Sequence, residues 1–387
     1  MLQLWVTLLG YLKKWGDEFM KKILYITTVS RTINAFLIPH IQMLRKAGHI
    51  VDCACCIDKP IDESLIEDGV KIFDIPFSRN PLHLRNVKAF KKLVEIQNEN
   101  NYDIVHVHTP VASVYGRLLK IRFPKLKTIY TVHGFHFHKG APIINWLIYY
   151  PIEKIMAKFT DTMITMNSED YERAKTFKIK ETYKVNGVGV DLDKYSLDNF
   201  DRSEIREKLN LKDDDFVILM IAEVNKNKNH KQMIDAIEIL KNKGIENIKV
   251  ICAGDGVIFD EVSTYIKEKN LQDNIKMLGF RTDINELIAS CDIGILMSYR
   301  EGLPRNIMEL MASGKPVIGT NIRGIRDLVM DSINGYLVNV EDSEDTANKI
   351  KKIYENKYLL KNISENANEL IQDYSINKVI NQLEKIY

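Results

Sequence analysis

The sequence predicts an α/β protein made of two doubly wound, Rossmann-like domains, each a parallel sheet covered by helices. From Lys22 onward, apolar runs of strand length alternate with stretches of helical periodicity. At 387 residues the chain exceeds the roughly 250–300 residues at which a single hydrophobic core stops growing. A polar, charge-rich stretch, 191–215, separates two series of apolar runs. Two such domains facing one another would bind a ligand in the cleft between them, at the carboxyl ends of their strands.

The two series of apolar runs set the predicted domain boundaries. The first domain, 20–191, contains the runs ILYITTV, IVDCACCI, DIVHVH and TIYTVH. We expect a linker over 192–215, a second domain over 216–360, which begins with FVILMIA, and a helical segment, 361–387, that returns to the first domain. Residues 1–19 precede a natural start at Met20 and are either an amphipathic surface helix or the product of an over-long reading frame.

Composition excludes several classes of protein. A formal net charge of +2 argues against general nucleic-acid binding. The sequence contains no run of the roughly 18 apolar residues that a membrane span needs. Two stretches without acids, 79–92 and 117–127, are either solvated helix faces or a docking face for anionic lipid. The five cysteines lie in apolar runs, which favours buried, reduced thiols and a cytoplasmic protein.

The sharpest motif is YREGLPRNIMELMASGKP, residues 299–316. A strand ends before it, and Pro304 stands where a first helical turn should begin, so that free helix amides would face an anion or a hydroxyl. Glu301 and Glu309 lie about two turns apart, and carboxylates are natural partners for the vicinal hydroxyls of a sugar or ribose. The spacing alone also fits a surface pair, but the flanking glycines and prolines favour a ligand site.

With this element the chain resembles the retaining glycosyltransferases of family 4, which have the GT-B fold and carry a Glu-x7-Glu element of the form EGLP…E. The resemblance runs from Met20 onward. The chain is similar to bacterial enzymes of capsule and exopolysaccharide assembly in the stretches TVHGFHF, NWLIYYPIEK and NKNKNH. It implies a metal-independent hexosyltransferase that takes a uridine diphosphate (UDP) sugar as a substrate and needs no cofactor. A final helix that crosses back to the first domain belongs to the same fold.

The resemblance also implies roles for residues of the second domain. Glu301, with the amides of Gly302 and Leu303, would hold hydroxyls of the donor sugar. Glu309 would bind the nucleotide ribose. Lys228, in NKNKNH, would contact the diphosphate, where a cation can neutralise charge on the leaving group.

Three further positions complete the expected donor side. Gly254, in ICAGDG, would line the nucleotide, and the turn that ends at Arg281 is where the base would stack. Glu223 stands where many family members have arginine. A carboxylate beside a diphosphate is repulsive by about 1 kcal/mol or more. Either Glu223 points away from the diphosphate, or it serves the sugar or the lysines. The role that arginine has in the family would then fall to Lys226 or Arg305.

The stretch TVHGFHFHKG raises the question of whether its histidines bind a metal, act in catalysis or fill the core. The resemblance implies that His133 sits beside the donor sugar, so that His133, Lys228 and Glu301 are the expected catalytic residues. Thr28, His108 and His136, at or beyond neighbouring strand ends, are expected on the acceptor side. A metal site would require His136 and His138 to converge with His133, and the GT-B fold works without a metal.

The sequence therefore predicts transfer of a sugar, with retention of configuration, to a lipid-pyrophosphate-linked saccharide in bacterial capsular or extracellular polysaccharide assembly. The protein would be peripheral, in contact with an anionic membrane surface at the inner face of the cell membrane. Asp191-Leu192-Asp193 matches the Asp-x-Asp metal motif of another transferase fold, but it lies at the linker. Two alternatives remain: a non-hydrolysing UDP-sugar epimerase, which lacks the EGLP element, and a catalytically silent partner of another transferase.

Overall fold

The computed structural model describes residues 20–81 and 83–387, so the two hypotheses for residues 1–19 lie outside the described residues. The chain forms two units. One extends to Val185 and also contains Ile380–Tyr387, and the other is Asn186–Val379. Each unit contains one parallel sheet, as the alternating pattern predicts.

The sheet of the first unit has seven described strands in the order β3-β2-β1-β4-β5-β6-β7. Its strands are β1 Lys22–Val29, β2 Ile50–Cys56, β3 Ile72–Asp74, β4 Ile104–His108, β5 Lys127–Val132, β6 Thr162–Thr165 and β7 Glu181–Lys184. The central strands are continuous apolar runs because helices cover both of their faces. Strand β7 was not predicted, because its sequence, ETYK, is polar and lies at the sheet edge.

Helices connect these strands. They are α1 Ile38–Lys46, preceded by a helical turn Ser30–Thr32 and a π turn Ile33–Leu37, then α2 Glu63–Glu67, α3 Arg85–Asn100, α4 Pro110–Arg122, α5 Ile143–Met156 and α6 Ser168–Lys175. Pro110 occupies the first turn of α4, where a missing amide hydrogen costs nothing. Asn167 caps α6 by accepting a hydrogen bond from the amide of Asp170. Apolar residues of α3, α4 and α6 form a core with the sheet.

The sheet of the second unit has six described strands in the order β10-β9-β8-β11-β12-β13. They are β8 Phe216–Ile221, β9 Ile248–Ala253, β10 Ile275–Met277, β11 Ile293–Leu296, β12 Val317–Thr320 and β13 Gly335–Val338. The helices are α7 Arg202–Lys208, α8 His230–Asn242, α9 Phe259–Glu268, α10 Ile284–Ser290, α11 Arg305–Ala312, α12 Ile325–Leu328, α13 Ser343–Tyr354 and α14 Lys357–Ile371. A last helix, α15 Ile376–Glu384, begins in the second unit and ends in the first. Helix α11 packs closely on β11, because a Cβ at Gly294 would overlap the side chain of Leu310.

The end of the chain packs into the first unit. The hydroxyl of Tyr387 lies 2.5 Å from that of Tyr25 and also bonds to Nδ1 of His106. The ammonium of Lys127 donates to the carbonyl of Ile386 over 3.0 Å. These contacts attach the C-terminus to β1, β4 and β5. No helix among the described residues is long and apolar enough to cross a membrane.

Candidate active site

An ion pair joins two loops at one edge of the second sheet. The ammonium of Lys228 lies 2.6 Å from Oε1 of Glu301, and the two side chains are 19% and 12% exposed. Lys228 follows β8 and Glu301 follows β11, which are neighbours in the sheet, so their carboxyl ends meet at the same edge. The structure therefore brings together the residues expected at the diphosphate and at the donor sugar.

The two loops are also joined through their backbones. The amide of Tyr299 donates to the carbonyl of Asn227 over 2.8 Å, and the side chain of Asn227 donates to the carbonyl of Arg300 over 3.0 Å. The side chain of Asn225 accepts from the amide of Lys228 and caps the short helical turn that positions the lysine. Sequence analysis missed Asn225 and Asn227, although both lie in the NKNKNH element.

Glu309 lies on α11, in the turn after Arg305. Its carboxylate is 3.0 Å from Nε of Arg305, and the Tyr195 hydroxyl is a further hydrogen-bonding partner. Burial raises the pKa of Glu309, while Arg305, Tyr195 and Lys194 oppose that rise. No local pattern indicated that Tyr195, from the predicted linker, would contact Glu309.

Helix α11 begins at Arg305, directly after Pro304, so the proline precedes the first turn. The side chain of Asn306 donates to the carbonyl of Ile221 over 2.6 Å and joins the helix start to the end of β8. Gly302 packs against the loop before α12, where a Cβ on Gly324 would overlap the Gly302 carbonyl. The segment of Gly302 and Leu303 is thus held on both sides.

The expected nucleotide side begins at Gly254, after β9. A Cβ at Gly254 would overlap the carbonyl oxygen of Ala222, so only glycine allows the two loops to approach so closely. The amide of Gly254 donates to the carbonyl of Gly279 over 2.8 Å. The side chain of Glu223, which follows Ala222, is exposed.

Arg281 lies apart from the Lys228–Glu301 pair. Its guanidinium binds both carboxylate oxygens of Asp283, with Nε 2.7 Å from Oδ1, and the pairing raises the pKa of Arg281 and lowers that of Asp283. Among the described residues, no hydrogen bond connects Arg281 with Lys228 or Glu301. Phe280, beside Arg281, is 79% exposed.

In the first unit, His133 directly follows β5 and contacts a histidine of the neighbouring strand. Its Nε2 lies 3.1 Å from Nδ1 of His108, which ends β4, and their ring centroids are 5.3 Å apart. Burial, assisted by His40, lowers the pKa of His133 to about 4. The imidazole is therefore neutral at neutral pH and can serve as both hydrogen-bond donor and acceptor.

His106 and His108 are two residues apart on β4, so their side chains lie on the same face of the sheet. Both are buried, and burial holds the pKa of each well below its ordinary value. Nε2 of His106 lies 2.7 Å from the hydroxyl of Thr131, whereas Nε2 of His108 has no hydrogen-bond partner among the described residues. His108, which was expected on the acceptor side, is the one of the two that contacts His133.

The histidines of TVHGFHFHKG do not converge. His136 stacks on Tyr149 of α5 with ring centroids 4.6 Å apart, and Nδ1 of His138 lies 3.0 Å from the carbonyl of Lys139. Over the described part of the chain, no group of three histidine, cysteine, aspartate or glutamate residues is arranged to hold a metal ion. In the structure His136 and His138 therefore have separate partners, Tyr149 and Lys139.

Thr28, the last residue but one of β1, lies beside a strained threonine. Its hydroxyl lies 2.7 Å from that of Thr109, and its amide donates to the same Thr109 oxygen over 3.0 Å. Thr109 has φ of 65°, which is rare for a β-branched residue. Strain of this kind concentrates at functional positions, and no sequence signal identified Thr109.

Comparisons with known proteins agree with this architecture. Residues 201–370 match the family described as glycosyl transferases group 1, and residues 22–168 match glycosyl transferase 4-like proteins. A putative glycosyltransferase, EpsD, of Bacillus subtilis (strain 168) is 35% identical over 375 residues, covering 95% of this chain and 96% of EpsD.

A second relative is named UDP-Gal:alpha-D-GlcNAc-diphosphoundecaprenol alpha-1,3-galactosyltransferase, from Escherichia coli. It is 28% identical over 357 residues, covering 89% of this chain and 90% of that enzyme. The crystal structure of Anabaena HepE in complex with UDP and glucose superposes with a TM-score of 0.80 at 21% identity, covering 95% of this chain and 99% of HepE.

Two Rossmann-like parallel sheets, which superpose on HepE over 95% of this chain, define the GT-B fold. The chain belongs to the glycosyl transferases group 1 family. The predicted fold class is confirmed, and so is the predicted relationship to glycosyltransferases.

Proposed function

We propose that the protein is a retaining glycosyltransferase that moves a sugar from a UDP-sugar to a lipid-pyrophosphate-linked saccharide in bacterial capsular or extracellular polysaccharide assembly. The observation that carries the proposal is the Lys228–Glu301 pair, held at 2.6 Å between two adjacent strand ends. The carboxylate of Glu309 lies on the helix that follows the same loop.

The ion pair suggests how the donor is received. In the structure, Lys228 and Glu301 neutralise each other. A diphosphate offers the lysine a stronger anionic partner, which releases the carboxylate of Glu301 to accept hydrogen bonds from sugar hydroxyls. The ammonium then opposes the charge that develops on the leaving diphosphate.

Glu309 would hold the ribose. A carboxylate accepts two hydrogen bonds from vicinal hydroxyls only when it is ionised. Arg305 and Tyr195, which favour the charged form against the effect of burial, would keep Glu309 ionised and oriented. This division assigns the sugar to Glu301 and the nucleoside to Glu309.

We further propose that His133 hydrogen-bonds to the transferring sugar, with Thr28, His108 and His136 on the acceptor side. A neutral imidazole suits this role, because a cation would repel the positive charge that develops on the sugar. Metal ions and cofactors have no part in the proposal. Lys228 and the amides at the start of α11 act on the diphosphate in place of a divalent cation.

The names of the related proteins support the choice of substrates. HepE was crystallised with UDP and glucose, and the Escherichia coli relative is named for UDP-Gal and a diphosphoundecaprenol-linked acceptor. A UDP-sugar and a lipid-pyrophosphate-linked saccharide are therefore the substrates to test first. Such an acceptor resides in a membrane, which would place the working enzyme at the inner membrane surface.

The test is slow hydrolysis of a panel of nucleotide sugars by the full-length protein, followed by the release of UDP and free sugar. A retaining transferase should release UDP from one donor and give the sugar first in the anomeric form of the donor. An epimerase would instead produce a new nucleotide sugar without free UDP. Absence of turnover with every donor would favour a catalytically silent partner and contradict the proposal.

A further inference from the structure

Helix α5 exposes a continuous apolar surface, which we call the α5 apolar face. Six large aliphatic side chains on this helix are between 40% and 77% exposed. They are Ile143, Ile144, Leu147, Ile148, Ile152 and Ile155. Their spacing of three and four residues places them along one side of the helix. An exposed apolar surface of this kind marks an interaction site.

The opposite side of α5 is fixed to the first unit. Glu153 pairs with Arg117 of α4 over 2.8 Å, and both side chains are buried. Trp146 and Tyr150 pack on Phe137, with ring centroids 5.6 and 5.4 Å apart. The helix therefore cannot rotate to bury its outer side without breaking a buried ion pair and an aromatic cluster.

Helices that are apolar on both sides are normally covered on both sides. In α5 the aromatic residues face inward and the exposed residues are aliphatic. Its 14 residues span about 21 Å, too short to cross a bilayer but long enough to lie along one. An apolar partner that covers the exposed side of α5 would therefore lie parallel to the helix.

The charges around α5 identify that partner. Exposed Lys139, Lys154 and Lys158 lie at its two ends, and the only acid between residues 139 and 158 is the buried, paired Glu153. Aliphatic side chains flanked by lysines suit the acyl chains and head groups of an anionic bilayer. Protein interfaces instead favour exposed aromatic residues and arginine and are depleted in lysine.

A second copy of the chain fits this surface less well. Pairing of two α5 apolar faces, whether parallel or antiparallel, would bring the lysine-bearing ends of both helices together, and residues 139–158 contain no exposed acid to compensate. A bilayer with anionic lipid supplies the opposite charge at both ends at once.

We propose that α5 docks the enzyme on an anionic membrane, with its apolar face in the acyl region and its lysines among the head groups. The proposal deepens the proposed function, on which it rests for a lipid-linked acceptor, and it names the element that contacts the membrane. Docking itself requires no turnover, so the two proposals can fail separately.

The test is flotation of the full-length protein with vesicles of phosphatidylcholine alone or mixed with phosphatidylglycerol. The variant Ile144→Ser/Leu147→Ser/Ile148→Ser removes part of the α5 apolar face. A control variant, Ile57→Ser/Ile66→Ser/Ile333→Ser, changes the same number of comparably exposed aliphatic residues elsewhere. Both variants are also assayed for nucleotide-sugar hydrolysis without lipid, which reports folding.

The wild type and the control should bind the phosphatidylglycerol vesicles, and the α5 variant should lose about tenfold or more of that partitioning while still hydrolysing the donor. Lys154→Glu/Lys158→Glu should weaken binding to phosphatidylglycerol vesicles more than binding to neutral ones. Equal binding by the α5 variant and the wild type would overturn the proposal. So would a wild-type dimer that the α5 substitutions convert to a monomer without a change in vesicle binding. Loss of hydrolysis with intact vesicle binding would contradict only the proposed function.

Discussion

At the scale of single residues, the Lys228–Glu301 pair places a cation and a carboxylate in direct contact where a diphosphate and a sugar would each need one. Glu309 has different partners, Arg305 and Tyr195. The two glutamates therefore bind different partners in the structure. This separation makes their roles open to independent measurement.

Substitution of each glutamate should give a different binding defect. Glu309→Ala should weaken UDP binding by about 10- to 100-fold, because a charged hydrogen-bonding group contributes about 1.5–3 kcal/mol. Glu301→Ala should leave UDP affinity unchanged or slightly higher, because it frees Lys228 for the diphosphate, and should impair binding of the UDP-sugar. Titration calorimetry with UDP and with the UDP-sugar measures both. Equal losses of UDP affinity in the two variants would refute this assignment.

His133→Ala should reduce turnover by about 10²-fold, since one hydrogen bond that strengthens in the transition state is worth about 2.7 kcal/mol. Donor affinity should change little. His136→Ala is the matched control, because its ring stacks on Tyr149 and should affect the acceptor Michaelis constant or stability. Steady-state kinetics with both substrates separates these effects. A loss of donor affinity that accounts for the whole defect of His133→Ala would contradict the catalytic role.

At the scale of elements, the end of β4 and the residue after β5 carry histidines that are neutral in the folded protein. Burial lowers the pKa of His106, His108 and His133, the last to about 4. The unfolded chain, with pKa values near 6.5, therefore binds protons first as the pH falls. The stability that these neutral histidines provide is complete above about pH 6.5 and is lost progressively towards pH 4.

Because of this linkage, the free energy of unfolding should depend less on pH in the acid range when one of the histidines is replaced. As the pH falls from about 6.5 towards 4, each such histidine should lower the free energy of unfolding by up to about 1.4 kcal/mol per pH unit. Urea unfolding across the window should show a smaller loss in His108→Gln than in the wild type. The exposed His83→Gln variant is the control and should follow the wild type. An unchanged pH dependence in His108→Gln would mean that the pKa of His108 is the same in the folded and the unfolded protein, which would contradict a buried, neutral imidazole.

The attachment of α5 gives a prediction about stability. Glu153→Gln should lower the free energy of unfolding by about 3–5 kcal/mol, because it leaves the Arg117 guanidinium buried without a counter-charge. Glu172→Gln, which breaks the exposed pair with Lys175, should have little effect. Chemical denaturation measures both variants. Similar small losses in the two would show that the Arg117–Glu153 pair does not anchor the helix.

Local sequence patterns predicted most elements but not their mutual contacts. The apolar runs located twelve of the thirteen described strands, and edge strand β7 was missed because ETYK has no apolar run. The motif EGLPRNIMELMA indicated both glutamates. Tyr195, Asn306 and Thr109 were missed, because their contacts join segments distant in sequence and depend on tertiary packing.

At the scale of the whole molecule, the sequence motifs also predicted the GT-B fold, which HepE shares at a TM-score of 0.80. The final residues, Ile380–Tyr387, group with the first unit, where Tyr387 reaches Tyr25 and His106. No local pattern could assign Tyr387 to these partners. The exposed α5 apolar face was also missed, because NWLIYYPIEK fits a buried helix equally well.

The most direct test of the central claim is hydrolysis of UDP-sugars in the presence of a chelator, with the released sugar followed by NMR. The account predicts that UDP and sugar appear from one donor, that the sugar first has the anomeric configuration of the donor, and that the rate is unaffected by chelation. Inverted configuration would contradict retention. Loss of activity on chelation, restored by magnesium or manganese, would contradict metal independence and direct attention to Asp191 and Asp193.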